Sequence, residues 1–107
     1  MKADTQFIID QFARESKKVL QDNLIEEYLF GSYATKTQTL LSDIDILVIV
    51  KQLTPVMQSK LSSMASEYAL KYDLCISPIL TDLETWGKNK IYNTLFYQEI
   101  GQHGIRL

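Results

Sequence analysis

Apolar residues along the chain follow two different periods. Between Asp4 and Asp22, Ile8, Ile9, Phe12, Val19 and Leu20 recur near helical spacing, with Lys17, Lys18 and Gln21 between them. This predicts an amphipathic helix packed on one side and stopped by Asp22-Asn23. Leu24 to Phe30 is rich in β-formers and ends at Gly31, the pattern of a strand running into a tight turn. Ser32 to Thr39 is short and polar, enough for one helical turn and a loop. Ile44 to Val50 is dominated by β-branched residues, which predicts a strand buried on both faces over most of its length.

Thr54-Pro55 reads as an N-cap followed by proline at the first helical position. Met57, Leu61, Met64, Tyr68 and Ala69 then share one helical face, carrying a helix to about Lys71. A third strand is predicted from Asp73 to Leu80, with Pro78 implying a sheet edge or an early end to regular pairing. The tail predicts a loop or short helix around Trp86, then one amphipathic helix with Tyr92, Phe96 and Ile100 on one side. Gly101 and Gly104 end it, and Ile105 to Leu107 add a short extended piece. The order α, β, short α, β, α, β, α predicts an α+β, two-layer fold. It has a small mixed sheet of three or four strands backed by helices on one face. With 107 residues and no linker, residues 1–107 are expected to form a single domain.

Charge narrows the partners. Eleven basic against thirteen acidic residues give a net charge of -2, with no basic stripe of the kind that grips nucleic-acid phosphates. Neither a polynucleotide nor an anionic membrane is implied. The longest apolar run, Ile46 to Val50, falls far short of the roughly 20 residues of a membrane helix. Cys75 is the only cysteine, so no intramolecular disulfide forms, and a cytoplasmic location is expected.

The stretch that carries chemistry is Leu29-Phe30-Gly31-Ser32, followed ten residues after the serine by Asp43-Ile44-Asp45. Strand residues two apart point to the same side, so Asp43 and Asp45 project together. Their mutual repulsion would be relieved by magnesium, which takes oxygen ligands at about 2.0–2.1 Å. Gly31 lets the backbone approach a ligand, the amides after it favour phosphate, and the Ser32 hydroxyl adds a donor. Asp73, at the head of the next predicted strand, is the candidate general base and a further metal ligand, the plain alternative being that it simply ends the preceding helix. Together these are the parts that phosphoryl or nucleotidyl transfer needs. A solvated turn before a core strand is the plain alternative for Asp-x-Asp, and the spacing to Gly31-Ser32 weighs against it. Cys75, Trp86, Tyr92 and Phe96 are expected in the core, and His103 is assigned no role.

Gly31-Ser32, the ten-residue interval, Asp43-Ile44-Asp45 and Leu47-Val48-Ile49-Val50 resemble the minimal nucleotidyltransferase family of the DNA polymerase β-like superfamily. Asp73-Leu74-Cys75-Ile76 resembles its third-carboxylate strand, and Tyr97 through Ile105 resembles, more weakly, the way such domains close. The resemblance implies the polymerase β-like palm fold and one or two Mg2+ ions held by Asp43, Asp45 and Asp73. It also implies an NTP, ATP above all, whose phosphates lie at Gly31 and Ser32. The expected reaction transfers AMP to a hydroxyl, and the family pairs such domains with HEPN-type toxins whose tyrosine is the acceptor. The chain would then be an antitoxin acting on a partner in trans, with homo-oligomerisation left open. It departs from the family in the loop, where Thr35, Lys36 and Gln38 replace the usual arginine, glycine and alanine. The rival expectation is a non-catalytic binding module that neutralises a partner by occlusion.

Overall fold

Ile44–Val50 forms the strand β2, and every apolar side chain in it is buried, on both faces of a four-stranded sheet. The computed structural model describes residues 4–107. The other strands are β1 (Leu24–Phe30), β3 (Ile76–Asp82) and the two-residue β4 (Ile105–Arg106), in the order β3-β2-β1-β4. β1 runs antiparallel to β2, with Phe30 opposite Asp45, and antiparallel to β4. β2 and β3 are parallel, with Ile44 opposite Ile76. A parallel pair needs a crossover, and the helix α3 (Pro55–Tyr72) supplies it.

The helix starts follow from short polar side chains. Asp4 accepts from the amide of Gln6 to open α1 (Thr5–Leu20), and Thr54 accepts from the amide of Met57 to open α3. Ile8, Phe12, Leu61 and Tyr68 from these helices pack on Ile44, Ile46, Val48 and Val50. The rings of Phe12 and Tyr68 meet edge-on at 5.3 Å. Val19, expected on the packed face of α1, is exposed.

The opposite face is also partly covered, which corrects the expectation of helices on one side only. Leu47 and Ile49 lie under Ile100, with Trp86 and Phe96 against them, from α4 (Leu83–Ile91) and α5 (Leu95–His103). The short helix expected around Trp86 is α4, and the last helix starts later than the apolar spacing predicts, without Tyr92. Asn93 takes a positive φ of 49°, and the Thr94 hydroxyl accepts from the amide of Tyr97, so a new helix starts there. Tyr92 therefore ends α4 and is exposed, Gly101 falls inside α5, and Gly104 caps it. The third strand is also displaced. Asp73 caps α3 in the left-handed region (φ 54°, ψ 42°), its amide donating to the Ala69 carbonyl, and β3 begins only at Ile76. Pro78 does lie on an edge strand, where it faces Ile46, and pairing continues beyond it to Asp82. Among the described residues no helix is long and apolar enough to cross a membrane.

Candidate active site

The sequence-singled residues gather where β1 ends and β2 begins. Asp43 immediately precedes β2 and Asp45 is its second residue, on the face that carries Leu47 and Ile49. Phe30 pairs with Asp45, which brings the following Gly31 over the carboxylate. Gly31 has φ 72°, and a Cβ placed there would run into Oδ2 of Asp45. Glycine is thus required twice, for its backbone conformation and for the room it leaves the acid.

Gly31 also opens α2 (Ser32–Thr35), its carbonyl accepting from the amides of Ala34 and Thr35 at 3.1 and 3.2 Å. The first amides of this turn have no intrahelical acceptor and remain available to an anion. Lys36 closes the turn with φ 59° and is exposed.

Asp45 is half-buried, Asp43 exposed. Burial, then the neighbouring Asp43 charge, raises the Asp45 carboxyl above its ordinary value. A divalent cation would reverse that balance. Among the described residues no three acidic, histidine or cysteine side chains converge on one ion position. Two carboxylates nevertheless fit magnesium, which is commonly held by one or two of them with the remaining places filled by water and substrate phosphates.

Asp73 is brought to the same region by a different route from the one expected. As the cap of α3 it lines, with Asp43, an open cavity of ≈ 680 Å³. Tyr33, Ala69 and the loop ahead of Asp43 also line it, whereas Gly31, Ser32 and Asp45 do not. Cys75, expected in the core, is exposed in this cavity. The Ile44 amide donates to its carbonyl at 2.8 Å, so Cys75 is held beside the head of β2. The adjacent Asp43 carboxylate chiefly pushes its thiol upward. Parallel register offers the signal that would have found it, since extending the pairing of Ile44 with Ile76 by one residue sets Cys75 against Asp43.

Comparison with known proteins agrees with this geometry. Residues 9–99 match the family model described as a nucleotidyltransferase domain. The chain is 35% identical over 101 residues to MJ0141 of Methanocaldococcus jannaschii, provisionally named a protein adenylyltransferase, covering 94% of this chain and 95% of that one. A second relative from that organism, MJ1305, carries the same provisional name. It is 38% identical over 78 residues, which are 70% of this chain and 53% of that one. Among solved structures, a toxin–antitoxin complex with AMP-PNP superimposes with a TM-score of 0.60 at 26% identity, over 91% of this chain and 70% of that one. A variant of the toxin–antitoxin pair MntA–HpeT gives 0.57 at 25% identity, over 97% of this chain and 72% of that one. The match, residues 9–99, spans β1 to β3 with the Gly31 turn, Asp43 and Asp45 between its ends, and on that ground the chain belongs to the nucleotidyltransferase domain family.

Proposed function

We propose that this chain transfers AMP from ATP to a hydroxyl group on a partner protein, in a metal-dependent reaction, and so acts as an antitoxin. The observation that carries the reading is the fit of Asp45 beneath Gly31, with Asp43 next to it at the head of β2. A pure binding surface has no use for two adjacent carboxylates, one of them partly desolvated. The relatives support the finer steps. Two bear the name protein adenylyltransferase, and the solved ones belong to toxin–antitoxin complexes, one with a nucleotide analogue.

Asp43 and Asp45 would hold Mg2+, which supplies charge compensation for the triphosphate and polarises the α-phosphate. The free amides at the start of α2 and the Ser32 hydroxyl donate to phosphate oxygens, and Gly31 keeps the approach clear. Asp73, exposed on the cavity, is the base. Its carboxylate takes the proton of the acceptor hydroxyl as that oxygen forms a bond to the α-phosphorus. The bond from the α-phosphorus to the bridging oxygen breaks, and pyrophosphate leaves with the electron pair. The acceptor assigned is a tyrosine of a HEPN-type partner, in keeping with the sequence resemblance.

The test is label transfer from α-labelled ATP with Mg2+, using the chain alone and with its partner, beside Asp43→Ala. Label reaching protein only with intact Asp43 is expected. A stable complex that carries no label with any NTP would instead establish neutralisation by occlusion.

A further inference from the structure

The loop between α2 and β2 is folded around its own hydroxyls. The Thr39 amide donates to Oγ of Ser42 at 2.8 Å, and the Ser42 amide returns a bond to the Thr39 carbonyl at 3.1 Å. The Leu41 amide donates to Oγ1 of Thr39 at 3.3 Å. The turn so closed carries Leu40 and Leu41 at its tip, 87% and 93% exposed. Two consecutive leucines are thus held in water by a hydrogen-bonded turn, without the burial that would stabilise them. Both line the cavity that Asp43 and Asp73 share.

The charge of this cavity identifies its occupant. None of its described lining residues is basic, and two are aspartates. Apart from the Mg2+ assigned to Asp43 and Asp45, a phosphate-rich ligand would find no cation in this lining and would face the Asp73 carboxylate. Gly31 and Ser32, the phosphate-side elements, lie outside the lining. We infer that Leu40 and Leu41 are the docking element for the acceptor. The cavity they border receives a protein segment whose hydroxyl residue is flanked by apolar side chains, rather than the nucleotide or a polynucleotide. This rests on the nucleotidyl-transfer reading above and adds to it the acceptor's side of the site. The apolar flank buries the leucines at the rim, while the hydroxyl reaches past them toward Asp73. The leucines act by anchoring, so their loss is felt in acceptor KM before kcat.

The experiment uses three acceptor probes with α-labelled ATP and Mg2+: a tyrosine peptide flanked by leucines, one flanked by glycines, and an oligoribonucleotide with a free 3′-hydroxyl. The full chain is compared with the double variant Leu40→Gln/Leu41→Gln, whose exposed positions leave the core intact. The leucine-flanked peptide is expected to exceed the glycine-flanked one by about tenfold in kcat/KM, and the variant to lose that preference through KM. Its thermal stabilisation by Mg2+ and ATP stays at the wild-type value. Equal use of both peptides, an unchanged KM in the variant, or preferred labelling of the oligoribonucleotide would overturn the inference while the transfer reading stands. Loss of ATP stabilisation in the variant would overturn it by giving the loop to the nucleotide. A wild-type chain that labels its partner protein but neither peptide would overturn this inference alone, and one that labels nothing, the partner included, would bring down the transfer reading with it.

Discussion

Gly31 shows most directly how one residue sets the chemistry. Its φ of 72° lies in a region that costs an L-residue about 1 kcal/mol or more, and its missing side chain is the space that Oδ2 of Asp45 occupies. Gly31→Ala is expected to keep the fold, because the site lies at the end of the sheet, but to displace Asp45 by an appreciable fraction of an ångström. Misplacement on that scale lowers rates by about 100-fold. Single-turnover label transfer checks this, with far-UV circular dichroism to confirm folding, and retention of full activity would show that Asp45 need not hold its observed position. The Gly31-Ser32 interval to Asp43 and Asp45 was legible in the sequence because strand alternation and turn chemistry are local. The exposure of Cys75 was not, and the capping of α3 by Asp73 stood only as the plain alternative to its catalytic reading. Both depend on where α3 stops, and the Asp73 backbone turns left-handed there rather than entering the strand.

The contact between α1 and β1 carries a pH dependence of its own. Glu27 is only 1% exposed, and burial pushes its carboxyl from 4.5 up to about 7, against the opposing influences of Ser16 and Lys17. Oγ of Ser16 lies 2.8–2.9 Å from both Glu27 oxygens and 2.9 Å from the Ala13 carbonyl. One hydroxyl proton cannot serve all of these. A protonated Glu27 donating to Ser16, which donates to Ala13, gives each hydroxyl proton an acceptor. The folded state thus binds the proton more tightly than the unfolded chain, and the stabilisation is complete below pH 4.5. It is lost as pH rises towards about 7, by roughly 3 kcal/mol, and changes little above that. Urea midpoints across this range should fall for the wild type and stay level for Glu27→Gln. A parallel fall in that variant would place the titration elsewhere.

A second element-scale feature is the break between α4 and α5, which the apolar spacing of Tyr92, Phe96 and Ile100 concealed. Spacing cannot see a cap, and Asn93-Thr94 supplies one. Thr94 Oγ1 accepts from Tyr97 and donates to Oδ1 of Asn89 at 2.7 Å, so it joins the two helices. Thr94→Ala is expected to cost about 1 kcal/mol by urea unfolding. A neutral result would mean that packing of Phe96 and Ile100 alone fixes the helix start. The buried strands were more legible, because a run such as Ile44–Val50 has few other ways to leave water. The second helical layer was less so, since α4 and α5 bury few residues and leave Ile91, Tyr92 and Leu95 exposed.

At the scale of the molecule, the candidate site is assembled from segments far apart in sequence. The end of β1, the head of β2 and the close of α3 meet there, and β2 lies between two neighbours in the sheet. A ligand that bridges them binds a geometry the unfolded chain lacks, so its binding energy adds to the stability of the whole fold. At a hundredfold excess over Kd the increment is about 2.7 kcal/mol, which in a domain of this size raises Tm by roughly ten degrees or more. Mg2+ with ATP should produce that shift, whereas either alone should give much less. Magnesium lacks its phosphate ligands without the nucleotide, and the triphosphate meets Asp43 and Asp45 unshielded without the metal. Asp43→Ala should abolish the shift specific to the combination even though it removes a repulsion from the free protein. Differential scanning fluorimetry separates the two effects, because the apo Tm of the variant reports the relieved repulsion and its Mg2+–ATP increment reports the site. An increment equal to that of the wild type would mean that Asp43 does not hold the metal, and the carboxylate pair would lose its assigned role.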